Sequence, residues 1–502
     1  MKKKVLVLLL AAALLLGMLQ LTGCGTNEES VGDNDTEALG TAAENETDDP
    51  RNRLLVQDEL PELDYHEAVV RILARTGDED TRIEFIAEKG SSDVVEAAVY
   101  ERNKLVEDRL NITFEFIESS DTRHAGSVIN SMLTTTVSSG TDEYDIIANH
   151  MSQTTTSLLA GYLLNLNNLE YLDWKQPWWN QSYSNEVSVD GRQYLAVGEL
   201  TLSYISGTFA MFFNKYMWEN YYGTDDLYEL VRSGEWTLDK LTSYTTDLWQ
   251  DTDGKNGLTE NDMVGLFHCT SALCDGFAGA AGVRFTEYDE ETDSYAFVLN
   301  EQRTFDFIDR MKLLLFESNG TFIGPDDFKI GLEKMAQNTA LFTPNILGGS
   351  VYLRDMEKDY GIIPMPKLDT EQDAYTTFVH NGFSVVGIPT TVKDPDMMAA
   401  VTEALSAESY RRVTYAYYDT ALKYKYNRDP QAVEMLDIIT GNIRFDFAYC
   451  YNQSLDTVAA IFRTILATPA DIGRASSTIR NKQRASEKNI GKLVQKIAKL
   501  KV

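Results

Sequence analysis

Two groups of residues have types and spacing suited to chemistry, and the first is a cysteine behind an apolar leader. Leu21-Thr22-Gly23-Cys24 ends a segment that opens with three lysines and continues through an apolar run. Small residues directly before a cysteine, at the end of such a segment, are typical of a bacterial leader that is cleaved while the cysteine sulfur receives lipid. The sequence therefore predicts that residues 1–23 are removed. It also predicts that Cys24 is lipid-anchored at the extracytoplasmic face of the cell membrane.

The second group is a set of three aspartates. Asp251, Asp253 and Asp262 stand at positions one, three and twelve of an EF-hand-like loop. Carboxylate oxygens at this spacing can surround a calcium ion. Lys255 stands where a fifth-position ligand is expected, and the loop glycine, Gly257, comes one place late. Two interpretations stay open: a structural calcium site, or an acidic surface turn between helices. No other cofactor is expected.

Charge describes the segment behind Cys24 and the chain as a whole. From Gly25 to Pro50 there are nine Asp or Glu residues and no Lys or Arg. Such a segment buries too little apolar surface to offset its ordering entropy, so residues 24–75 are predicted to be an acidic, lipid-anchored tether. The whole chain has 77 acidic and 45 basic residues and a net charge of −32. This balance disfavours nucleic acid and anionic lipid headgroups as partners.

The remaining cysteines indicate no disulfide framework. Cys269, Cys274 and Cys450 are odd in number, although a bridge between the first two stays possible. A second cysteine pair and histidines at ligand spacing are both missing from the sequence, so a metal site has no support. Buried thiols are the prediction.

Strand and helix patterns alternate along the chain, which predicts an α/β fold with parallel pairing. In open sheets of this kind, ligands bind off the carboxyl ends of the strands. The first unit is predicted to have strands at 82–87, 111–117 and 144–148 and helices at 94–110 and 125–137. The second is predicted to have strands at 207–214, 339–343 and 360–363, helices at 216–222 and 237–249, an apolar stretch at 377–388 and mostly helix from residue 395. The basic, amphipathic end of the chain, 479–502, is interpreted as a surface helix that closes the fold rather than one that binds membranes.

A series of motifs carries a family resemblance. They are Tyr144–Ile147 followed by Leu158–Leu166, Phe212–Lys215, Gly234–Lys240 and Tyr360–Lys367. In this order, behind a lipoprotein leader, they resemble the extracellular solute-binding proteins of ABC importers, family 1, in particular the group related to maltose-binding protein.

The resemblance implies a periplasmic-binding-protein type II-like fold, in which a hinge joins two α/β lobes with a ligand cleft between them. Lobe 1 would comprise residues 76–200 and 380–440, and lobe 2 would comprise residues 201–379 and 441–502. The chain would first cross between the lobes near 198–206 and return near 377–383.

The resemblance also implies a function: a monomeric, non-enzymatic protein that captures a solute by hinge closure and delivers it to an ABC permease. The chain has 6 Trp, 26 Tyr and 21 Phe. Aromatic faces stack on sugar rings, so a carbohydrate ligand is favoured, in particular an oligosaccharide. Two alternatives stay open: a cell-surface glycan-binding lipoprotein without a permease, and a surface glycoside hydrolase with two carboxylates.

Five candidate ligand-binding residues come from the predicted turns. Glu88 follows the first predicted strand, and Asn149 and His150 follow the third. Trp178 and Trp179 directly follow a proline, and this pair of tryptophans is expected to be exposed. The alternative for Glu88 is a solvated turn, and the alternative for His150 is a loop histidine whose hydrogen bonds are satisfied within the protein. The alternative for the two tryptophans is packing within their own lobe.

Five more candidates come from the resemblance. Tyr204 and Asn381 lie at the implied crossovers between the lobes. Asn345 takes the place where relatives often have a tryptophan that stacks on the sugar, which argues against a maltose-like stacking scheme. Tyr449 and Tyr451 match a late aromatic position that faces the cleft in relatives.

Overall fold

The structure of the protein, a computed structural model, describes residues 50–223, 225–289, 291–292, 294–418 and 430–500. The predicted leader, Cys24 and the acidic stretch before Pro50 lie outside the described residues. Within the described ranges, no helix combines the length and the apolar character that crossing a membrane requires.

The strands form two mixed sheets and one hairpin. In the described part of the chain they are β1 (Ala68–Arg75), β2 (Ile112–Ser119), β3 (Ile146–His150), β4 (Phe209–Asn214), β5 (Trp249–Gln250), β6 (Met263–Cys269), β7 (Thr286–Asp289), β8 (Ser294–Phe297), β9 (Thr321–Gly324), β10 (Ala340–Ile346), β11 (Tyr360–Ile363) and β12 (Ser384–Gly387).

The first sheet has the order β12-β3-β1-β2. Strands β1, β2 and β3 are parallel, with Val70 opposite Phe114 and Leu73 opposite Ile147, as the alternating pattern predicts. Strand β12 returns from the second sheet and pairs antiparallel to β3. Strand β3 is buried along its whole length, because helices cover both faces of the sheet.

The second sheet has the order β11-β4-β10-β6-β5, and β9 also pairs with β6. Strands β10 and β9 run parallel to β6, whereas β4 is antiparallel to both β10 and β11. Strands β7 and β8 form a separate antiparallel hairpin. The sheet is therefore mixed, unlike the purely parallel pairing that alternation of strand and helix predicts.

Helices make up most of the remaining structure. In the described part of the chain they are α1 (Glu79–Arg82), α2 (Val94–Leu110), α3 (Ser127–Ser139), α4 (Met151–Leu159), α5 (Gln181–Val187), α6 (Leu202–Ser206), α7 (Lys215–Tyr222), α8 (Leu227–Arg232), α9 (Leu238–Thr245), α10 (Leu273–Ala280), α11 (Gln302–Lys312), α12 (Phe328–Ala336), α13 (Pro395–Glu408), α14 (Thr414–Tyr417), α15 (Pro430–Gly441), α16 (Phe447–Cys450), α17 (Ile461–Ile465), α18 (Pro469–Ile472) and α19 (Ala475–Ile497). Short 3₁₀ or π-helical turns lie at Pro50–Leu55, Leu166–Asn168, Leu313–Glu317, Leu347–Leu353, Ser409–Val413, Asn452–Leu455 and Val458–Ala460.

The residues that flank helix α2 determine where it begins and ends. Asp93 caps its first turn by accepting hydrogen bonds from the backbone N–H groups of Val95 and Glu96, and Asn111 ends the helix in the left-handed region with φ 51°. An aspartate before the first turn and an asparagine after the last one are strong boundary signals. The predicted bounds of this helix, 94–110, are confirmed.

The predicted first strand, 82–87, is wrong. The first strand is β1, which lies within the range predicted to be tether, so the tether prediction extends too far along the chain. Asp78 instead caps the short helix α1 by accepting a hydrogen bond from the backbone N–H of Thr81. The apolar residues that follow pack inward from an irregular turn, and Phe85 is buried there.

A buried carboxylate joins two of the segments that connect the first and second sheets, the one between β3 and β4 and the one between β11 and β12. Glu84 Oε1 accepts a hydrogen bond of 2.7 Å from the backbone N–H of Ser203, which lies between β3 and β4. Glu84 Oε2 accepts a short hydrogen bond from the hydroxyl of Ser384, the first residue of β12. The backbone N–H of Ser384 also donates to Ser203 Oγ at 2.8 Å. The outward and return segments are thus bonded directly to each other.

Helix α15 corrects one implied lobe boundary. Leu436 and Ile439 on this helix share a hydrophobic core with Tyr360 of β11, so the helix packs against the second sheet. The range 380–440 implied for lobe 1 therefore extends too far. The other lobe boundaries stay a prediction.

Trp178 and Trp179, expected at the surface, are buried and hold a carboxyl group. Their indole N–H groups donate to the two oxygens of Glu403 at 3.0 and 2.9 Å. Burial raises the pKa of Glu403 to about 8, although both indoles act in the opposite direction. The pair is therefore part of the core of the first sheet, and the expectation that it is exposed is wrong.

Glu403 predicts a specific pH dependence of stability. Its pKa is about 8 in the folded chain and about 4.3 in an unfolded one. Because the folded state holds the proton more tightly, this group makes the free energy of unfolding fall as the pH rises through that window. We expect the wild type to lose stability relative to Glu403→Gln between about pH 5 and about pH 8, measured by urea denaturation.

Glu371→Gln, at an exposed position, is the matched control and should keep a constant offset from the wild type. A constant offset for Glu403→Gln as well would contradict the assigned titration.

Candidate functional site

A cavity of about 480 Å³ lies where segments from both sheets meet. Loops at the carboxyl ends of β2, β6, β9 and β10 supply much of its lining, which is where open α/β sheets place ligands. The lining residues are Asp80, Arg123, His124, Ser271, Ala272, Asp326, Asp327, Phe328, Lys329, Asn345, Ile346, Gly348, Gly349, Val351, Tyr352, His380 and Arg463.

Arg123 and Asp80 form the wall on the side of the first sheet. The Arg123 guanidinium lies 2.9 Å from Asp80 Oδ2, and its backbone N–H donates to Asp78 Oδ2 at 2.7 Å. The arginine is therefore held from both its main chain and its side chain. It presents hydrogen-bond donors to the cavity beside an acceptor, and such a pair suits a ligand that carries hydroxyl groups.

Arg463 forms part of the opposite wall and rests on a buried carboxylate. Its Nε and Nη2 donate to Asp275 in a fork, with Nη2 at 2.5 Å from Oδ2. Burial raises the pKa of Asp275 to about 6, and Arg463 acts against that rise. The fork fixes the guanidinium plane, which leaves the remaining amino group of Arg463 available to the cavity.

His380 lies on the return segment between the sheets. Its Nδ1 accepts a hydrogen bond of 3.1 Å from the backbone N–H of Gly382, and its ring meets His124 edge-on with a centroid distance of 6.1 Å. Burial lowers the pKa of His380 well below its usual range, and the nearby Arg123 and Arg463 lower it further. The ring is therefore neutral at pH 7, with Nε2 as the protonated nitrogen.

The second sheet supplies the aromatic wall. Asn345, at the end of β10, donates from Nδ2 to the backbone carbonyl of Phe328 at 2.7 Å, and the Phe328 ring packs edge-on against His380. Tyr352 is half exposed at the rim, and Lys329 Nζ lies 5.6 Å from the centre of its ring. The cavity thus has two aromatic side chains beside its charged groups.

Among the ten predicted ligand-binding residues, only Asn345 lines this cavity. Asn149 is buried and donates to the carbonyl of Gly126 and to Asn130 Oδ1. His150 is buried near Ser152, and burial lowers its pKa to about 3, so it is neutral. Both residues pack against Gly126, at the end of the loop that carries Arg123 and His124, and Asn149 bonds to its carbonyl.

The other predicted ligand-binding residues do not line the cavity. Glu88 is an exposed turn residue whose backbone N–H donates to Glu96. Tyr204 is buried and accepts a hydrogen bond of 2.9 Å from Asn180. Asn381 is half-buried beside His380. Tyr449 donates to the carbonyl of Val379 at 3.2 Å, and Tyr451 packs on Phe447 in the core.

Sequence reasoning missed most of the lining, including Arg123, Arg463, His380, Phe328 and Tyr352. The predicted second strand, 111–117, ends close to Ser119, the last residue of β2, and the loop at 120–126 that follows it is the signal that could have found Arg123. Strands β6 and β9 were not predicted, so the turns that follow them supplied no candidate residues. Arg463 is on a helix and leaves no signal in sequence spacing.

The three aspartates of the calcium prediction converge between β5 and β6. One carboxylate oxygen from each of Asp251, Asp253 and Asp262 lies within 4.8 Å of the others. Lys255 Nζ contacts Asp253 Oδ2 at 2.9 Å, and Asp262 accepts hydrogen bonds from the backbone N–H groups of Thr252 and Thr259. The loop brings together the oxygen atoms that calcium prefers, but the ammonium group of Lys255 competes for them.

The three cysteines Cys269, Cys274 and Cys450 are buried and unbridged. Burial raises the pKa of the Cys269 thiol to about 11 and that of the Cys450 thiol well above its usual range. The prediction of buried thiols is confirmed.

The chain matches no protein-family model and no curated protein, but it is similar in structure to solved solute-binding proteins. UgpB from Mycobacterium tuberculosis in complex with glycerophosphocholine is 16% identical, with a TM-score of 0.54, over 80% of this chain and 98% of that one. MalE from Bdellovibrio bacteriovorus bound to maltotriose is 12% identical, with a TM-score of 0.52, over 84% of this chain and 100% of that one.

An ABC substrate-binding protein from Listeria monocytogenes in complex with cycloalternan is also 12% identical, with a TM-score of 0.51, over 86% of this chain and 99% of that one. These similarities show the fold: two α/β sheets in the arrangement of a type II periplasmic-binding protein. The predicted fold class is confirmed.

The buried pair under the cavity predicts a large mutational effect. Arg463→Met would leave Asp275 buried without its partner, which typically costs about 3–5 kcal/mol. Arg284→Met is the matched control, because Arg284 pairs with Glu186 at 2.6 Å on the surface and such pairs contribute about 0–1 kcal/mol. Urea denaturation should show this difference. The difference in unfolding free energy should narrow as the pH falls towards about 6, because Asp275 without Arg463 has a still higher pKa and takes up its proton first, and it should stay constant at lower pH. Equal losses from the two substitutions would refute the assigned role of Asp275.

Proposed function

We propose that this protein is the substrate-binding lipoprotein of an ABC transporter, which captures an oligosaccharide by hinge closure and delivers it to a membrane permease. The observation that carries the proposal is a cavity whose walls come from both sheets of a type II binding-protein fold. Charged groups and aromatic rings face the same space. A ligand held there contacts both sheets at once.

Closure follows from differential affinity. Arg123 and Asp80 approach the ligand from the first sheet, while Arg463 and Phe328 approach it from the second. A ligand that bonds both sets favours the state in which they are closest, and only that difference in affinity drives closure. The two connecting segments bonded through Glu84 are where the backbone would rotate. A permease would then recognise the closed shape.

The chemistry of the lining favours a carbohydrate. Sugar hydroxyls donate to carboxylates such as Asp80 and Asp327 and accept from the guanidinium groups and from His380 Nε2. Phe328 and Tyr352 offer apolar faces for sugar rings. A volume of about 480 Å³ is within the usual range for small-molecule pockets. Maltotriose and cycloalternan, the ligands in two similar structures, are of this class.

The lining gives less support to a glycoside hydrolase. Such enzymes place one carboxyl group on each side of the scissile bond. Asp326 and Asp327 are neighbours on one wall, and Asp80 on the other is paired with Arg123. We therefore propose a protein that binds its ligand without transforming it.

Attachment through Cys24 completes the proposal. Lipid on this cysteine would hold the monomeric receptor at the extracytoplasmic face of the membrane, and the acidic residues after it would act as a spacer. Tethering raises the effective concentration of receptor near the permease. Stable anchoring needs more than one acyl chain, so we propose multiple acylation.

A ligand screen tests the carbohydrate proposal. We expect oligosaccharides to raise the melting temperature of the protein and amino acids, peptides and polyamines to leave it unchanged. Phe328→Ala and Tyr352→Ala should each weaken binding of the best sugar by about 1–3 kcal/mol, because each removes an apolar face. Tyr221→Ala, at an exposed aromatic outside the cavity, is the control and should bind as the wild type does.

Stabilisation by peptides or amines alone would overturn the carbohydrate proposal and leave the fold intact. Shortened glycans recovered after incubation would favour the hydrolase instead.

We propose separately that Asp251, Asp253 and Asp262 hold a structural calcium ion, since their oxygens converge. Calorimetric titration of calcium into chelator-treated protein should then release or absorb heat, and calcium should raise the melting temperature. Lys255→Gln should tighten binding about two- to fivefold, because the competing exposed ion pair is weak. Lys240→Gln is the matched control. If the wild type gives neither heat nor stabilisation, the loop is an acidic surface turn.

A further inference from the structure

The last long helix, α19, carries a continuous row of positive charge. Arg480, Arg484, Lys488, Lys492 and Lys496 recur at every fourth position, and the row, here called the basic stripe, spans about 24 Å at 1.5 Å per residue. All five side chains are exposed, and the helix contains a single acidic residue, Glu487. No other long helix among the described residues is so one-sided in charge.

The basic stripe faces away from the core. The buried positions of α19 include Ile479, Ile490, Leu493 and Ile497. At 100° per residue these share one face, and the stripe is centred on the opposite one. Among the described residues, none of its five members forms an ion pair; Arg480 donates to Ser476 Oγ at 2.7 Å. By contrast Lys482, on the flank, pairs with Asp456 at 2.6 Å.

Folding does not account for this arrangement. Like charges four residues apart on a helix repel and destabilise it, so each of the four successive pairs in the stripe opposes folding. The isoleucines and leucine on the inner face already dock the helix. A row of unpaired cations that folding does not need indicates an anionic partner in solution.

The chemistry of the outer face selects the kind of partner. Protein interfaces have an apolar or aromatic centre, whereas the positions between the cations on this face are Asn481, Ala485 and Asn489. None of the exposed large hydrophobic residues lies on α19. The hydrophilic row turns through about 160° around the outer face, since each step of four residues advances about 40°. Its long Arg and Lys side chains match the array of phosphates that an anionic bilayer presents.

We propose that the basic stripe docks on anionic phospholipid headgroups of the membrane that carries the protein. This inference rests on the proposed Cys24 anchor, which would hold the stripe close to that surface. Contact along α19 would then fix how the cleft is turned relative to the bilayer, which the anchor alone does not.

The net charge of −32 predicts the opposite, that anionic lipid is disfavoured. That expectation assumes that the negative charge is spread evenly over the protein surface. Screening at physiological salt reduces the influence of charges more than about 8 Å away, so a bilayer that touches the stripe responds mainly to the stripe itself. Acidic residues elsewhere on the surface then favour the orientation in which they face away from the bilayer.

Vesicle co-sedimentation of the mature chain with Cys24→Ser, which lacks lipid, tests the docking directly. We expect binding to vesicles of phosphatidylglycerol and phosphatidylcholine, weak or no binding to pure phosphatidylcholine, and a steep loss of binding with added salt. Arg484→Glu/Lys492→Glu should reduce affinity at least about 20-fold, since each cation near an anionic surface contributes about fivefold. This variant turns all four repulsive pairs of the stripe into attractive ones, so its fold is not at risk.

Lys175→Glu/Lys240→Glu is the matched control, because it changes the net charge equally at exposed positions elsewhere and should keep most of the binding. Equal binding to both kinds of vesicle, equal loss in both variants, or tighter association with a soluble acidic protein than with vesicles would each overturn the proposal. Sugar binding is measured independently on the same variants. Loss of vesicle binding with sugar binding intact therefore removes this inference alone.

Discussion

The buried hydrogen bonds around Glu84 are the constraint on which the two-sheet arrangement depends. Its carboxylate accepts from Ser203 on the outward segment and from Ser384 on the return segment. Two arginines compensate its charge: Arg75 donates to Ser384 Oγ at 2.7 Å, and Arg102 donates to the backbone carbonyl of Glu84 at 2.8 Å. Burial lowers the pKa of Arg75 to about 10 and that of Arg102 to about 9, with Glu84 acting against both. A buried charge persists only when nearby opposite charges and hydrogen bonds compensate it, as the two arginines and two serines do here.

At the cavity, nearer to solvent, aspartates and arginines likewise compensate each other's charge. Asp275 is fully enclosed and orients Arg463, whereas Asp80 is exposed and pairs with Arg123 at the rim. Arg463 is therefore oriented by an enclosed carboxylate, and Arg123 by an exposed carboxylate together with its own backbone N–H. A ligand that bonds both arginines contacts oriented donors on both walls, which suits a site that closes around its ligand.

Local signals predicted the elements that carry their own boundaries. Helix α2 was predicted to the residue because Asp93 and Asn111 cap it, and the run of β11, Tyr360–Ile363, was equally well delimited. The error at 82–87 arose because short apolar runs look alike in a strand and in a buried turn, while β1 was assigned to the tether. That single error moved the expected ligand position from the segment after β1, which leads to Asp80, to Glu88.

Composition and spacing within a few residues were enough to predict the α/β class, the lipid attachment at Cys24, the buried thiols and the strong negative charge. Only the tertiary structure decided which side chains meet. Arg123, His380 and Arg463 are separated by 83 residues or more and converge through sheet topology, while the two tryptophans expected to contact ligand turn inward to Glu403. The distribution of charge is likewise a property of the fold, since helix geometry gathers the five cations of the basic stripe on one face.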